Sequence, residues 1–259
     1  MAINVTILGC GASTGVPVIG CDCAICHSTD PKDNRTRVSL HVEVGGVGIL
    51  IDTSPDLRLQ ALRENIRQVD AVLYTHEHGD HSHGLDDLKR FNHLKQSALT
   101  VYGDARTLEL IESRFAYAFL EPNPQFGWFR AALVPQVVEP YKPFEVAGVK
   151  ILPFPQEHGR ITTFGYRIGD FAYSTDLNAL EDKAFDALKG VHTWVVDAQT
   201  YSTPVTHSNV AQTLGWIERV QPKRAILTHM GHELSYATLK AELPKGVEPG
   251  YDGLRFTLP

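Results

Sequence analysis

Short apolar runs alternate with amphipathic stretches along the whole chain, and several of the apolar runs end directly at a histidine or an aspartate. Residues 3–8 (INVTIL) read as a first strand that enters the glycine-rich loop LGCGASTG. The stretch RVSLHVEVGGVGILIDT, residues 37–53, predicts two strands joined by a glycine turn at Gly45–Gly46. SPDLRLQALREN then reads as a helix, with Ser54 as N-cap and Pro55 at the first helical position. VDAVLYT is a continuous apolar run suited to a strand buried on both faces, and it stops at HEHGDH. SHGLDDLKRFNHL resumes a helical pattern; residues 98–103 predict a strand and 104–118 a helix.

Residues 121–146, rich in proline and aromatics, have weak periodicity and read as a connection that includes a strand or a lid. The second half repeats the theme of the first. VKILPFPQEHG, TTFGYRIGDFAYSTD and TWVVDAQ are strand-like, SNVAQTLGWIERV is helical, and RAILTHM is a strand that again ends at a histidine, before the SYATLKAELP segment. The pattern predicts an α/β chain of two similar halves packed through their sheets, one domain over residues 1–259. The strand ends then meet along one edge, where ligands bind in such folds.

Composition narrows the classes of function. With 259 residues and 43% hydrophobic content the chain can bury a core without staples. It has no apolar run long enough for a bilayer span, and its first residues lack the basic region of a signal peptide. A cytoplasmic, reducing location is the expectation. The net charge of −6 supplies no global field for nucleic acid, so an anionic substrate needs a local positive site.

The chemistry gathers in a few places. His76, His78, Asp80 and His81 lie within six residues at the end of a buried strand, an arrangement that aims N and O donors at one point and suits a divalent transition metal. His158, Asp176 and His229 each sit at or just beyond a strand end. Taken singly they have plain readings: an exposed loop histidine, a helix N-cap and a buried hydrogen-bonded histidine. Asp52, ending GILID, can orient a ligand histidine or simply turn the chain. His207 precedes a helix between two capping types, Thr206 and Ser208, whereas His83 and His93 read as solvated or supporting. Cys21, Cys23 and Cys26 crowd into GCDCAICHS, which permits a disulfide, a redox centre, a nucleophile or a metal knuckle, and a reducing compartment disfavours the first. Cys10 reads as a small buried residue.

HEHGDH matches the H-x-H-x-D-H motif of the metallo-β-lactamase superfamily, and QEHG, YSTD and LTHM follow in the order that superfamily shows. The resemblance covers essentially the whole chain and implies an αββα sandwich. It implies one metal held by His76, His78 and His158 and a second held by Asp80, His81 and His229, with Asp176 bridging them. LGCGASTGVPVIGCDCAIC and the near-terminal GYDGL further resemble the PhnP-like phosphodiesterases, which act on phosphoribosyl 1,2-cyclic phosphate. That likeness implies a structural zinc on Cys21, Cys23, Cys26 and His232, a structural or supporting role for Asp252, and His207 as general acid or phosphate ligand.

The implied activity is hydrolysis of a small cyclic or nucleotide-like phosphate ester by metal-bound hydroxide, with Asp80, Asp176 and His207 in the catalytic set. Two divalent ions, Mn²⁺ or Zn²⁺, bring about four positive charges against two from the aspartates, so the site can hold a phosphate. TSPDLRLQ and the cysteines also resemble PqqB, which implies the alternative of a non-hydrolytic carrier in cofactor biosynthesis. Hydrolysis of another ester class is a third reading. No basic insertion of the kind carried by the tRNA-processing branch is present, so the expected partner is a small phosphate ester rather than nucleic acid or membrane, with a homodimer left open.

Overall fold

The computed structural model describes residues 1–121, 127–128 and 130–258. The first half runs β1 (Ile3–Gly9), β2 (Ser39–Val44), β3 (Val47–Ile51), α1 (Leu57–Arg63), β4 (Ala71–Leu73), α2 (Gly79–Ser82), α3 (Leu88–Lys95), β5 (Leu99–Gly103), α4 (Ala105–Arg114) and β6 (Leu133–Val137). The second runs β7 (Phe144–Val146), β8 (Val149–His158), β9 (Ile161–Ile168), β10 (Phe171–Ser174), α5 (Asp182–Leu188), β11 (Thr193–Asp197), α6 (Val210–Val220), β12 (Arg224–Thr228), α7 (Tyr236–Glu242), β13 (Val247–Pro249) and β14 (Arg255–Leu258).

These strands form two seven-stranded sheets, ordered β14-β1-β2-β3-β4-β5-β6 and β13-β12-β11-β10-β9-β8-β7. The halves share one pairing scheme. From β14 to β3 the neighbours are antiparallel, and from β3 to β6 parallel. From β7 to β10 they are antiparallel, and from β10 to β13 parallel. In each sheet the parallel strands therefore end on one edge, which is where a ligand can be reached.

The sheets face each other through an apolar core in which Ile7, Val42 and Leu73 meet Phe154, Tyr166 and Leu227. Full burial of each such side chain contributes roughly 1.5–3 kcal/mol. The alternation in SLHVEV delivers this pattern, since Leu40, Val42 and Val44 enter the core while Glu43 faces out. β4 and β5 are buried on both faces, so their sequences are apolar without alternation. The outer face of the first sheet (Leu50, Val72, Val101) packs against Leu57, Leu88 and Leu108 of α1, α3 and α4, and α5, α6 and α7 cover the second. The result is the expected two-sheet sandwich flanked by helices.

Several predicted boundaries shift for identifiable reasons. The first helix starts at Leu57, because the Ser54 hydroxyl accepts the Asp56 N–H at 3.1 Å in a local turn rather than capping at Pro55. The helical stretch over 82–94 is broken at Gly84, whose N–H donates to Thr53 O at 2.9 Å, and a 3₁₀ turn at Leu85–Asp87 precedes α3. The helix predicted over 104–118 ends at Arg114, followed by a 3₁₀ turn. The 121–146 connection holds β6 and β7; residues 122–126 and 129 of it lie outside the described residues, and the lid reading with them. The helical pattern after Asp176 begins only at Asp182, with Glu181 rather than Asp176 at its N-cap, and the sequence pattern missed β14, which pairs Arg255–Leu258 with β1.

Gly84 allows the loop after Asp52 to lie against the metal-loop helix: a Cβ there would sit 1.9 Å from Ser54 O, a backbone atom that cannot yield. Gly84→Ala is expected to lower unfolding free energy by about 2 kcal/mol or more. Gly215→Ala, in the exposed interior of α6 with nothing within 4 Å, should raise it by about 0.5–1 kcal/mol. Urea unfolding of the two variants reads both signs.

Candidate metal centre

Three residues at the strand ends adopt left-handed backbone conformations: Asp52 at φ 62°, Asp176 at φ 54° and His229 at φ 54°. Each stops its strand and turns the chain sharply, at a cost of about 1 kcal/mol or more for a residue with a side chain. One such turn follows a strand of the first sheet and two follow strands of the second, so both sheets deliver side chains to the same region.

Asp176 lies in that region, 2% exposed. Its Oδ1 is 3.1 Å from His81 Nε2 and 3.5 Å from His229 Nε2. Its Oδ2 is 3.7 Å from His76 Nε2 and 3.9 Å from His158 Nε2. Asp80 Oδ2 completes the Oδ1 side, 3.3 Å from His81 Nε2 and 3.5 Å from His229 Nε2. The donors thus fall into two groups, His76, His78, His158 with Asp176 and Asp80, His81, His229 with Asp176. All seven residues singled out in the sequence are brought together, divided as the resemblance implied.

Outer partners fix the imidazoles. Asp52 Oδ2 accepts from His81 Nδ1 and from the Thr75 hydroxyl, each at 2.8 Å, and its Oδ1 accepts from the Thr75 amide at 2.8 Å. His158 Nδ1 donates to Thr206 O at 2.6 Å. In both rings Nε2 is left facing Asp176, which is how ligand histidines are oriented. Asp197, which the sequence reading did not single out, accepts from His207 Nδ1 at 3.1 Å and lies 4.0 Å from His229 Nδ1. Its signal was available: Asp197 ends the apolar run WVVD as Asp52 ends GILID. His207 Nε2 is 3.9 Å from Asp176 Oδ2, and its ring stacks on His229 at 4.7 Å. His83 and His93 are exposed, outside both groups.

Buried His76 Nε2, His81 Nε2, His229 Nε2 and Asp80 Oδ2 have no hydrogen-bond partner among the described residues, although they converge. Leaving four such atoms unsatisfied is costly in a protein interior. Nitrogen and carboxylate donors with this geometry fit divalent cations. Burial holds the His76 ring well below its ordinary pKa, with His81 adding to the effect, and burial likewise lowers His158. Both are therefore neutral, as ligands must be. Burial pulls His229 down too but is outweighed by Asp176 and Asp80, which raise it to about 9. Burial alone would raise Asp80 and Asp176, yet the His81 and His229 charges hold both well below the usual carboxylate range.

The cysteines form a separate group. Cys21, Cys23, Cys26 and His232 bring their ligand atoms within 4.8 Å of one another. His232 Nδ1 lies 3.4 Å from Cys21 Sγ and 3.3 Å from Cys23 Sγ. The bond to His232 lowers Cys23 to about 6, whereas burial and the adjacent thiols push Cys26 up. Three sulfurs and an imidazole make a closed tetrahedral donor set for zinc. Arg35, 1% exposed, braces this region by donating to Gly231 O at 3.1 Å and Leu234 O at 2.6 Å, on either side of His232. Asp252 stands apart from both groups: it accepts from the Cys10 and Thr36 amides and from Arg63, tying the chain's end to its beginning. Cys10 is fully buried.

Two mixed sheets meeting at a His/Asp cluster are the arrangement of the metallo-β-lactamase fold. The Beta-lactamase superfamily domain matches residues 48–230, and the chain belongs to that family, with a PhnP-like structure. A solved diphosphatase of the PhnP family superposes with a TM-score of 0.92 at 35% identity, covering 100% of this chain and 98% of the other. Zn²⁺-bound PqqB from Methylobacterium extorquens gives a TM-score of 0.74 at 20% identity, with coverage of 98% and 99%. An octanoyltransferase of Porphyromonas gingivalis (strain ATCC BAA-308 / W83) is 38% identical over 254 residues, which is 96% of this chain and 50% of that relative. The chain thus spans about half the length of this curated relative.

Against burial, the nearby carboxylates of Asp176 and Asp80 raise both His81 and His229, the latter to about 9, so each ring must lose a proton to become a ligand. Divalent-ion affinity, measured by chelator competition, is expected to rise with pH from 6 to about 9; affinity flat over that range would contradict the assignment. Elemental analysis should show His232→Ala losing about one zinc per chain with the His/Asp cluster still loaded, and Asp176→Ala doing the reverse.

Proposed function

We propose that the chain is a dinuclear metal phosphodiesterase acting on small cyclic or nucleotide-like phosphate esters. Phosphoribosyl 1,2-cyclic phosphate and diphosphate linkages are within the substrate class. The observation that carries this reading is the division of two ligand groups between the two oxygens of Asp176, with His207 beside them. The PhnP-family diphosphatase at 35% identity supports chemistry at phosphorus. Mn²⁺ or Zn²⁺ suits the His/Asp pair and Zn²⁺ the cysteine group, and free thiols suit a reducing cytoplasm. Bound there, the ions would supply Lewis acidity toward the phosphoryl oxygens and a water of lowered pKa.

The chain's own residues do the rest. Asp80 and Asp176 keep their negative charge at neutral pH, and Asp176 lies between the two donor groups while Asp80 belongs to the His81/His229 group. Asp52 and Thr206 O hold His81 and His158 in the orientation that presents Nε2. Asp197 accepts the N–H of His207 Nδ1, so a second proton taken up by the ring sits at Nε2, facing the cluster, where it can pass to the departing oxygen.

The octanoyltransferase relative favours a second reading, cleavage of an acyl ester, although that name belongs to a protein twice as long. A non-hydrolytic carrier of the PqqB kind is the less favoured alternative, because nothing in this donor set is missing. Metal-replete protein is expected to cleave phosphodiesters or diphosphates in a substrate panel. Turnover of an octanoyl thioester with none at phosphorus would replace the first reading by the second. His207→Ala should lower kcat by roughly 10²–10⁴ with metal content retained, and lose less on a nitrophenyl ester, whose leaving group needs no proton.

A further inference from the structure

On the outer face of the first sheet a groove of about 480 Å³ runs between α1 and α3. Its floor is apolar: Leu57 and Phe91 are buried, and Ala61 and Ile66 are partly so. Leu62 and Leu94, 65% and 48% exposed, form its upper walls. Around the rim stand Arg58, Arg67, Lys89 and Arg90 against a single acidic lining residue, Asp87. Lys89 pairs with Asp86 at 2.6 Å, but the three arginines have no carboxylate within 4.0 Å among the described residues. In a chain of net charge −6, this is a local concentration of unpaired positive charge over exposed apolar surface.

We propose that this groove binds a small amphipathic anion free in solution, a medium-chain carboxylate or alkyl phosphate, with its tail on the floor and its head group on the arginines. The size falls within the range of small-ligand sites, as does an apolar lining with a few placed polar groups. Guanidinium suits a carboxylate or phosphate head because its donors match two oxygens at once. The buried floor residues Leu57 and Phe91 lie between two helices of two turns each, with Leu62 and Leu94 exposed on the walls. A groove with a buried floor accommodates a single tail. None of the lining residues belongs to the His/Asp or cysteine groups, so occupancy leaves the metal centre open.

Octanoate is the probe, titrated by calorimetry and by amide chemical shifts. The expected result is one saturable site with shifts confined to residues 57–67 and 87–94. Each buried methylene changes affinity about fourfold, so butyrate should bind at least about tenfold more weakly even in a half-open groove. The exposed double variant Arg58→Gln/Arg90→Gln should weaken octanoate by about tenfold or more, and Ala61→Trp should fill the floor and abolish binding. No shifts in those segments, or wild-type affinity in the double variant, would overturn the proposal. Cosedimentation with phosphatidylglycerol vesicles without octanoate binding would also overturn it, and would assign the face to a membrane instead. The arginine variant keeps the test decisive if Ala61→Trp does not fold.

Discussion

One carboxylate organises the structure around it. Asp176 is buried, left-handed in its backbone and shared between two sets of imidazoles that its two oxygens keep apart. A buried aspartate needs compensation, and the histidines facing it from both sheets provide part of it. The histidines in turn present lone pairs that only a cation or a proton satisfies. The two-sheet sandwich reads as the scaffold for this arrangement, because repeating one pairing scheme brings the carboxyl ends of both parallel blocks to a single edge.

The cysteine group is coupled to that centre through the backbone. Gly11 bridges to both Arg37 and Met230, Met230 N donates to Cys10 O at 2.8 Å, and Ala12 N donates to Met230 O at 3.1 Å. Met230 follows His229, and His232 belongs to the cysteine group. A Cβ on Gly11 would meet Arg35 O at 2.7 Å, so the close approach depends on that glycine. The loop bearing three thiols and the loop bearing a cluster histidine are therefore one packed unit. A zinc in the first would stiffen the second without touching substrate.

Much of this was legible in the sequence, and for physical reasons. Strands buried on both faces must be continuously apolar, so VDAVLYT and RAILTHM show both the strand and the histidine at its end. The ligand set was legible because His76, His78, Asp80 and His81 follow β4, His158 ends β8, and Asp176 and His229 follow β10 and β12, in a fixed order. What escaped were features set by distant packing. Gly84 breaks a helical pattern because Ser54 O presses on it from another loop, β14 exists because β1 offers it an edge, and Asp197 works through His207, ten residues away. Local periodicity carries no trace of a partner contributed by another part of the chain.

The proposed function requires two cation subsites, one on each oxygen of Asp176. Anomalous diffraction from crystals of the Mn²⁺-loaded protein measures this. The expected map shows two peaks about 3.5–4 Å apart, one on each side of the Asp176 carboxylate. A single peak, or none, at full metal saturation would contradict it.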